Sequence, residues 1–308
     1  MRKKHAITGL ALGAGGARGL VHIGVIKALT DQGISIDMIT GSSVGSVIGA
    51  MYAAMLDPGW VEDRFHEFIR SDLYESLGLN RLKPSNGDSV GESFFQSITR
   101  PVKEMISFKI VNDRLGLLKT KRLETVIRYL VPVEDFQELK IPFRCVAVDL
   151  HTGKDVIFQN GNLIQALTAS SAIPGYMQPV PQNGKLLVDG GISMPCPITV
   201  LKDMGAELTI AIDVNIHHFP MLTSPNLLKI MSRVEQVTSN RIAEMMKDEA
   251  DFSIRPKTMD LFWAEFERID ELVTNGYDSV CNDIEKIKSK YNNPKRMIKM
   301  FKKIIKSK

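Results

Sequence analysis

At 308 residues the chain has room for one large α/β domain, alone or with appendages, and its 44% hydrophobic and 24% charged residues suit a globular protein with a sizeable core. No run reaches the roughly 18 apolar residues of a membrane-spanning helix. Cys145, Cys196 and Cys281 lack C-x-x-C spacing and cannot all pair, which excludes a disulfide framework and points to a reducing, intracellular compartment.

The start, Met1-Arg2-Lys3-Lys4-His5 and then an apolar run, has the outline of a secretion signal, but the run is glycine-rich and soon meets Arg18. Ala6–Leu12 reads instead as a buried strand opening onto Gly13-Ala14-Gly15-Gly16-Ala17-Arg18-Gly19. A helix over Leu20–Leu29, closed by Gly33, leads to a second strand, Ile36–Thr40. Then come the turn Gly41-Ser42-Ser43-Val44-Gly45 and a small-residue helix, Val44–Ala54. This spacing predicts a parallel sheet with right-handed crossovers. After Asp57-Pro58-Gly59 the rhythm lapses to about residue 135. Amphipathic segments at Trp60–Ile69 and Ser93–Ile110, with a loop at Pro84–Asp88, read as a helical insertion beside the sheet.

Strands resume at Phe143–Asp149 and Asp155–Phe158, on either side of a turn at His151–Lys154. A helix, Leu163–Ala172, stops at Pro174-Gly175, and a strand, Lys185–Val188, delivers Asp189-Gly190-Gly191. Helix Ile198–Met204, strand Leu208–Val214, helix Leu227–Asp248 and strand Asp251–Arg255 follow. The expected fold is α/β: three layers, α/β/α, around a mainly parallel sheet, with the domain over 1–285. Residues 286–308 form a basic tail holding ten lysines and arginines and no acid, although the net charge of the whole chain is only +4.

Strand, tight G-x-S-x-G turn and helix are the context of a nucleophile elbow, in which glycines let the backbone turn sharply and the serine stands on a strained corner. Asp189 ends an apolar strand, and open α/β sheets bind ligands at the carboxyl ends of their strands. The glycine loop, Ser43 and Asp189 all occupy such ends, which argues for one shared site. A serine hydroxyl needs a base within hydrogen-bond reach. His5 precedes the first strand, His66 and His151 lie in an amphipathic helix and a turn, and His22 faces either the site or the core. His217 and His218 would complete the Ser, Asp, His order of an α/β-hydrolase, although that histidine normally arrives on a longer C-terminal loop. A dinucleotide fingerprint from Gly13 fails, because Arg18 stands where glycine is needed and Asp37 begins its strand instead of ending it. A Walker loop fails because Gly45-Ser46 lacks the lysine. No H-E-x-x-H or spaced His/Cys cluster suggests a metal, and no cofactor is expected.

Gly13-x-Gly15-Gly16-x-Arg18-Gly19, Gly41-x-Ser43-x-Gly45 and Asp189-Gly190-Gly191, in that order, resemble the patatin-like phospholipases. The likeness is greatest to bacterial members with Ala-Arg-Gly-Leu-x-His-Ile-Gly-Val after the glycine loop. Ala172-Ile173-Pro174-Gly175 with Pro179-Val180 extends it over about residues 6–215 and the late 251–256 strand. The resemblance implies a patatin-like fold and a serine lipid acyl hydrolase, of phospholipase A or lysophospholipase type, working through a Ser-Asp dyad. Ser43 would attack the ester carbonyl, and Asp189 would take its proton and return it to the leaving alcohol. N–H groups around Gly15, Gly16 and Ala17 would hold the oxyanion, with Gly13, Arg18, Gly19, Gly41, Gly45, Gly190 and Gly191 shaping the motifs. An aspartate of ordinary pKa, about 3.9, is a poor base at neutral pH, so the dyad requires a water-poor pocket. Many relatives carry aspartate or a third glycine where this chain has Gly13-Ala14, a departure that leaves the donors intact.

Several alternatives stay open. The site is a Ser-Asp dyad or a Ser-Asp-His triad, or the chain is an adaptor that keeps a hydrolase fold. Arg18 orients the loop or meets a phosphate. Phe94, Phe95, Met105, Ile106 and Phe108 line an acyl groove or lid, or pack as core. In the tail, Met297, Ile298, Phe301, Ile304 and Ile305 recur at helical spacing among lysines. That helix packs on the domain or lies on anionic lipid, which would make a cytoplasmic protein peripheral to the inner face of the membrane. Nucleic acid is not expected as a partner, because no binding motif accompanies the charge.

Overall fold

The central strands read as near-continuous apolar runs because the sheet is covered there on both faces. The computed structural model describes residues 5–77, 119–219, 221–222, 227–258, 261 and 263–293. Within it β1 (Thr8–Leu12), β2 (Met38–Ser42) and β7 (Leu208–Ile212) are buried at every position. With β3 (Phe143–Asp149), β4 (Lys154–Phe158), β5 (Val180–Gln182), β6 (Lys185–Asp189) and β8 (Phe252–Ile254) they form one eight-stranded sheet. Its order is β5-β6-β3-β2-β1-β7-β8, and β4 also pairs with β3.

The expected parallel pairing holds across β3-β2-β1-β7-β8. Beyond β3 the sheet turns antiparallel, with β4 and β6 on β3 and β5 on β6. β5, absent from the sequence reading, is joined to β6 through Asn183-Gly184, both at positive φ (50° and 75°). The direction of β6 fixes the site. Ser42 pairs with Val146 and Asp189 with Ala147, the next residue of β3. Because β4 occupies the other edge of β3 along both segments, β2 and β6 share one edge and run toward each other. Their carboxyl ends meet head to head.

Helices α1 (Val21–Asp31) and α2 (Val44–Met55) follow β1 and β2. The described parts of the insertion are α3 (Pro58–Ile69), α4 (Asp72–Ser76) and α5 (Thr120–Leu130). Asp57 starts α3 by accepting from the N–H groups of Gly59 and Trp60 at 2.9 and 3.1 Å, with Pro58 at the first helical position. The expected segments at 84–88 and 93–110, including Phe94, Phe95, Met105, Ile106 and Phe108, lie outside the described residues. Next come α6 (Leu163–Ser170), α7 (Ile198–Asp203), α8 (Leu227–Met246), α9 (Ile269–Cys281) and α10 (Ile284–Tyr291).

Two cores make the three layers. Leu10, Leu12 and Ile39 point into the larger one, filled by α1, α2, α3, α5, α6 and α9. Ala11 and Met38 point the other way, against Ile198 and Leu201 of α7. α10 runs across residue 285, after which the basic tail was expected to begin. α10 buries Ile287 and Tyr291, the Tyr291 carbonyl accepts from Ala6 N–H at 2.9 Å, and its hydroxyl meets Ser35 Oγ at 2.9 Å. Positions 297–305 of the tail lie outside the described residues. Among those described, no helix is long and apolar enough to cross a membrane.

α1 and α9 cross so closely that a Cβ on Gly24 would sit 1.9 Å from the Val273 carbonyl oxygen, and one on Gly276 2.0 Å from that of Val21. Backbone leaves no room to yield, and overpacking a core costs about 1–3 kcal/mol. Gly276→Ala is therefore expected to lower the urea midpoint with an unchanged m value. An unaltered midpoint would mean that the two helices part freely.

Candidate active site

The turn after β2 is strained at the serine itself. Ser43 has φ 55° and ψ −130°, a conformation non-glycine residues rarely adopt. Gly41 and Gly45, expected to supply the sharp turn, instead supply space. A Cβ on Gly41 would lie 2.5 Å from Ser46 Cα, and one on Gly45 2.3 Å from the Leu12 carbonyl oxygen. The strained residue is held from both sides: its N–H donates to Ser170 Oγ at 3.1 Å, and its carbonyl accepts from Ser46 N–H at 2.8 Å and Ser46 Oγ at 2.5 Å.

The head-to-head strands bring Ser43 Oγ to 2.5 Å from Asp189 Oδ2, to which it donates, while Asp189 Oδ1 accepts from Gly191 N–H at 2.7 Å. Both side chains are only 5% exposed. The loop after Asp189 is stitched to its neighbours. Met194 O accepts from Ser42 Oγ (2.7 Å), Pro197 O from Thr40 Oγ1 (3.0 Å) and Pro195 O from Ala14 N–H (2.8 Å). Burial pushes the Asp189 carboxyl up to about 7, opposed by the bonds from Ser43 and Gly191 and reinforced by the negative charge of Glu235.

In the glycine loop Gly16 has φ 57°, and a Cβ there would lie 2.4 Å from the Trp263 carbonyl oxygen. That carbonyl accepts from Ala17 N–H at 2.7 Å, so one of the three anticipated oxyanion donors is already engaged. Gly13 and Ala14 N–H are also bonded, to the carbonyls of Ile212 and Pro195. Gly15 and Gly16 N–H have no partner among the described residues. Arg18 is buried and donates through Nε to Gly15 O at 3.1 Å, the loop-orienting arrangement. Burial lowers its pKa to about 10, against the pull of Glu235 and Asp213, and it stays charged at neutral pH.

Two of the histidines are occupied elsewhere. His22 is buried beneath the loop with Nε2 2.8 Å from Gly13 O, and burial lowers its pKa to about 4, so it is neutral and braces the loop. His217 faces Asp213 at 3.2 Å and Glu244 at 3.6 Å, in a cluster completed by Arg255 that ties the end of β7 to α8. Neither His217 nor His218 lines the pockets at Ser43. The one cluster of metal-type ligands among the described residues, Glu62, His66 and Asp270, also lies outside them. Its members are engaged, Glu62 with Lys27 at 3.0 Å and His66 with Asp270 at 3.1 Å.

Ser43 stands on a ridge between two pockets, both of which also touch Gly16, Ile173 and Trp263. One is apolar, walled by Val47, Phe65, Phe68, Val126, Ile127 and Leu130. The other is polar, with Arg18, Tyr176, Asp189, Asn215, Glu235 and Ser239. Glu235 and Trp263 were missed in the sequence. Glu235 keeps more than a third of its surface open, yet the protein packed around its carboxyl raises its pKa, with Arg18 pulling it back. The available signal was the polar spacing Ser232, Glu235, Gln236, Ser239 along one helix face; nothing local marks Trp263.

The patatin-like phospholipase family model matches residues 10–202. The chain belongs to this family. Its fold is accordingly patatin-like, and the likeness extends past bacteria. An NTE family protein of Mycobacterium tuberculosis is 37% identical over 206 residues, which cover 67% of this chain and 48% of that protein. Human patatin-like phospholipase domain-containing protein 6 is 27% identical over 297 residues, covering 87% of this chain and 19% of the human one. The chain thus spans about half the length of the mycobacterial relative and about a fifth of the human one. VipD from Legionella pneumophila aligns over 92% of this chain and 67% of its own at 16% identity and a TM-score of 0.47, too weak a likeness to bear on function.

A carboxyl raised from its ordinary 3.8 to about 7 is favoured by the fold in its protonated form. Its contribution to stability is present in full below the unfolded value and is lost as pH rises through the folded one. Asp189→Asn, neutral throughout, should therefore raise Tm at pH 8 and leave it nearly unchanged at pH 4. A lower Tm at pH 8 would show that burial does not penalise this carboxylate.

Proposed function

We propose that this patatin-like domain hydrolyses lipid acyl esters, of phospholipids or lysophospholipids, with Ser43 as nucleophile and Asp189 as base. The observation that carries this is the 2.5 Å Ser43–Asp189 bond on a ridge with an apolar pocket on one side and a polar pocket on the other. The acyl chain would enter the apolar pocket and the alcohol with its head group the polar one.

Ser43 Oγ attacks the ester carbonyl carbon and its proton passes to Asp189 Oδ2. The oxyanion takes hydrogen bonds from Gly15 and Gly16 N–H; removing one such donor typically costs about 2.7–4 kcal/mol of transition-state stabilisation. Ala17 is left out of this role because its N–H serves Trp263. As the intermediate collapses, the ester C–O bond breaks and the leaving alcohol takes the proton from Asp189. Water then attacks the acyl-enzyme, giving a proton to Asp189 that returns to Ser43 Oγ as the acid departs. Histidine is unnecessary because burial lifts Asp189 to a useful basicity. The three cysteines, all free, favour an intracellular location, and a lipid substrate favours a peripheral one at the inner face of the membrane.

Ser43→Ala and Asp189→Asn should each lower hydrolysis of a short acyl ester by about a thousandfold or more, and a fluorophosphonate should label Ser43. Near-wild-type turnover in either variant would remove the dyad. Loss of activity in a folded His217→Ala or His218→Ala would restore the triad, and an unreactive Ser43 would favour the adaptor.

The base must be ionised to act, so kcat/KM should fall as pH drops through about 7. Glu235→Gln removes a negative charge that holds Asp189 up and should move this acid limb to lower pH. A limb that stays in place would mean that Glu235 does not reach Asp189 electrostatically.

A further inference from the structure

A surface helix normally buries its apolar stripe and turns its polar residues to water. Over much of its length α8 does the reverse. Ser232, Glu235, Gln236 and Ser239, spaced i, i+3, i+4 and i+7, line the polar pocket beside Ser43. On the other side Ile230, Met231 and Val234 are 44%, 57% and 55% exposed. Helical spacing places Met245, 83% exposed, on this same outer face further along. Of the eight large apolar side chains strongly exposed among the described residues, four are thus on one helix, and that helix forms the rim of the site.

The one charge that α8 itself carries on this face is basic. Arg241 lies at the same angular position, is exposed, and makes no ion pair among the described residues. The acidic residues of α8 point elsewhere: Glu235 into the pocket, and Glu244 to Arg255 and Lys247. An outward apolar stripe interspersed with unpaired basic charge is the pattern of a helix lying at a lipid interface. The inner face of α8 already walls the pocket assigned above to the lipid head group. A surface seated on the outer face is therefore a source of substrate one helix width from Ser43.

We propose that the outer face of α8 is the bilayer-docking surface of this protein. Ile230, Met231, Val234 and Met245 enter the boundary between head groups and acyl chains, and Arg241 meets lipid phosphate. The choice of a bilayer as occupant rests on the lipid-hydrolase reading; the exposed face does not.

The test uses the full chain carrying Ser43→Ala, so that binding is measured without turnover, and sedimentation with vesicles of phosphatidylcholine and phosphatidylglycerol. Ile230→Ser, Met231→Ser and Val234→Ser together should weaken binding by about tenfold or more. With Ser43 intact, the same triple change should leave fluorophosphonate labelling and hydrolysis of a soluble short-chain ester unchanged. A single Met231→Trp change should give a blue-shifted emission when vesicles are added. Equal vesicle binding by the triple variant, or no emission shift, overturns the proposal. So does a wild-type dimer in sedimentation that the triple variant dissociates, since a second copy would then own the face. The two readings fail separately: an unreactive Ser43 with α8-dependent vesicle binding sinks the hydrolase, and soluble-ester hydrolysis with α8-independent binding sinks the docking surface.

Discussion

The site depends on a single edge of β3 being shared by two strands that approach from opposite ends. β2 pairs as far as Val146 and β6, running the other way, ends against Ala147, so the last residues of both strands must meet. Residues 146 positions apart in the chain are thereby set at hydrogen-bond distance by backbone pairing, without relying on a flexible loop. An ordinary crossover could have placed Asp189 at the carboxyl end of a parallel strand, but about a strand's width, roughly 4.8 Å, to one side. The antiparallel direction of β6 removes that offset. The loop after Asp189 then takes hydrogen bonds from β2 and from the glycine loop, so Ser43, Asp189 and the glycine loop share one strut.

Under the proposed dyad the same arrangement makes a histidine unnecessary. A serine elbow stores strain, here in the positive φ of Ser43, and the strain persists only because Ser170 and Ser46 fix both ends of the residue. Burying the carboxylate supplies the basicity that an exposed aspartate lacks, although the bond from the Ser43 hydroxyl opposes it. What raises Asp189 to about 7 is the same burial that opposes its ionisation in the folded state. Under the proposed reaction, stability and catalytic competence therefore pull against each other at one side chain, as is common where a site needs a displaced pKa.

Much of this was legible in the residues, and what was not has physical causes. The elbow and Asp189-Gly190-Gly191 could be read because tight turns and close approaches demand small residues locally. β3 has the predicted bounds because its apolar run is closed by Pro142 on one side and a turn on the other. The antiparallel direction of β6 was not legible, since period-two patterning says nothing of direction. Asn183-Gly184 between two short strands was a readable hairpin signal, because both turn positions need positive φ. The engagement of Ala17 by the Trp263 carbonyl joins residues far apart in sequence and carries no local mark. His217 looked available in sequence order, but Asp213 and Glu244, themselves bridged by Arg255 from a third segment, had already claimed it.

The motifs that identify the family stop short of the walls that shape its ligand space. The family match ends at residue 202, yet Asn215, Ser232, Glu235, Gln236 and Ser239 line the polar pocket from beyond it. Trp263 and Phe266 do the same for the apolar one. Trp263 links the two regions. Its carbonyl holds Ala17 in the glycine loop, its ring meets Tyr176 edge-on at 5.0 Å, and both pockets touch it. Gly16 can have no side chain because this tryptophan occupies the space. A change in the C-terminal third that moved Trp263 would therefore shift the glycine loop and both pocket walls together. Under the proposed function, selectivity would for that reason be coupled mechanically to Ser43 and Asp189, although neither lies in the segment that sets it.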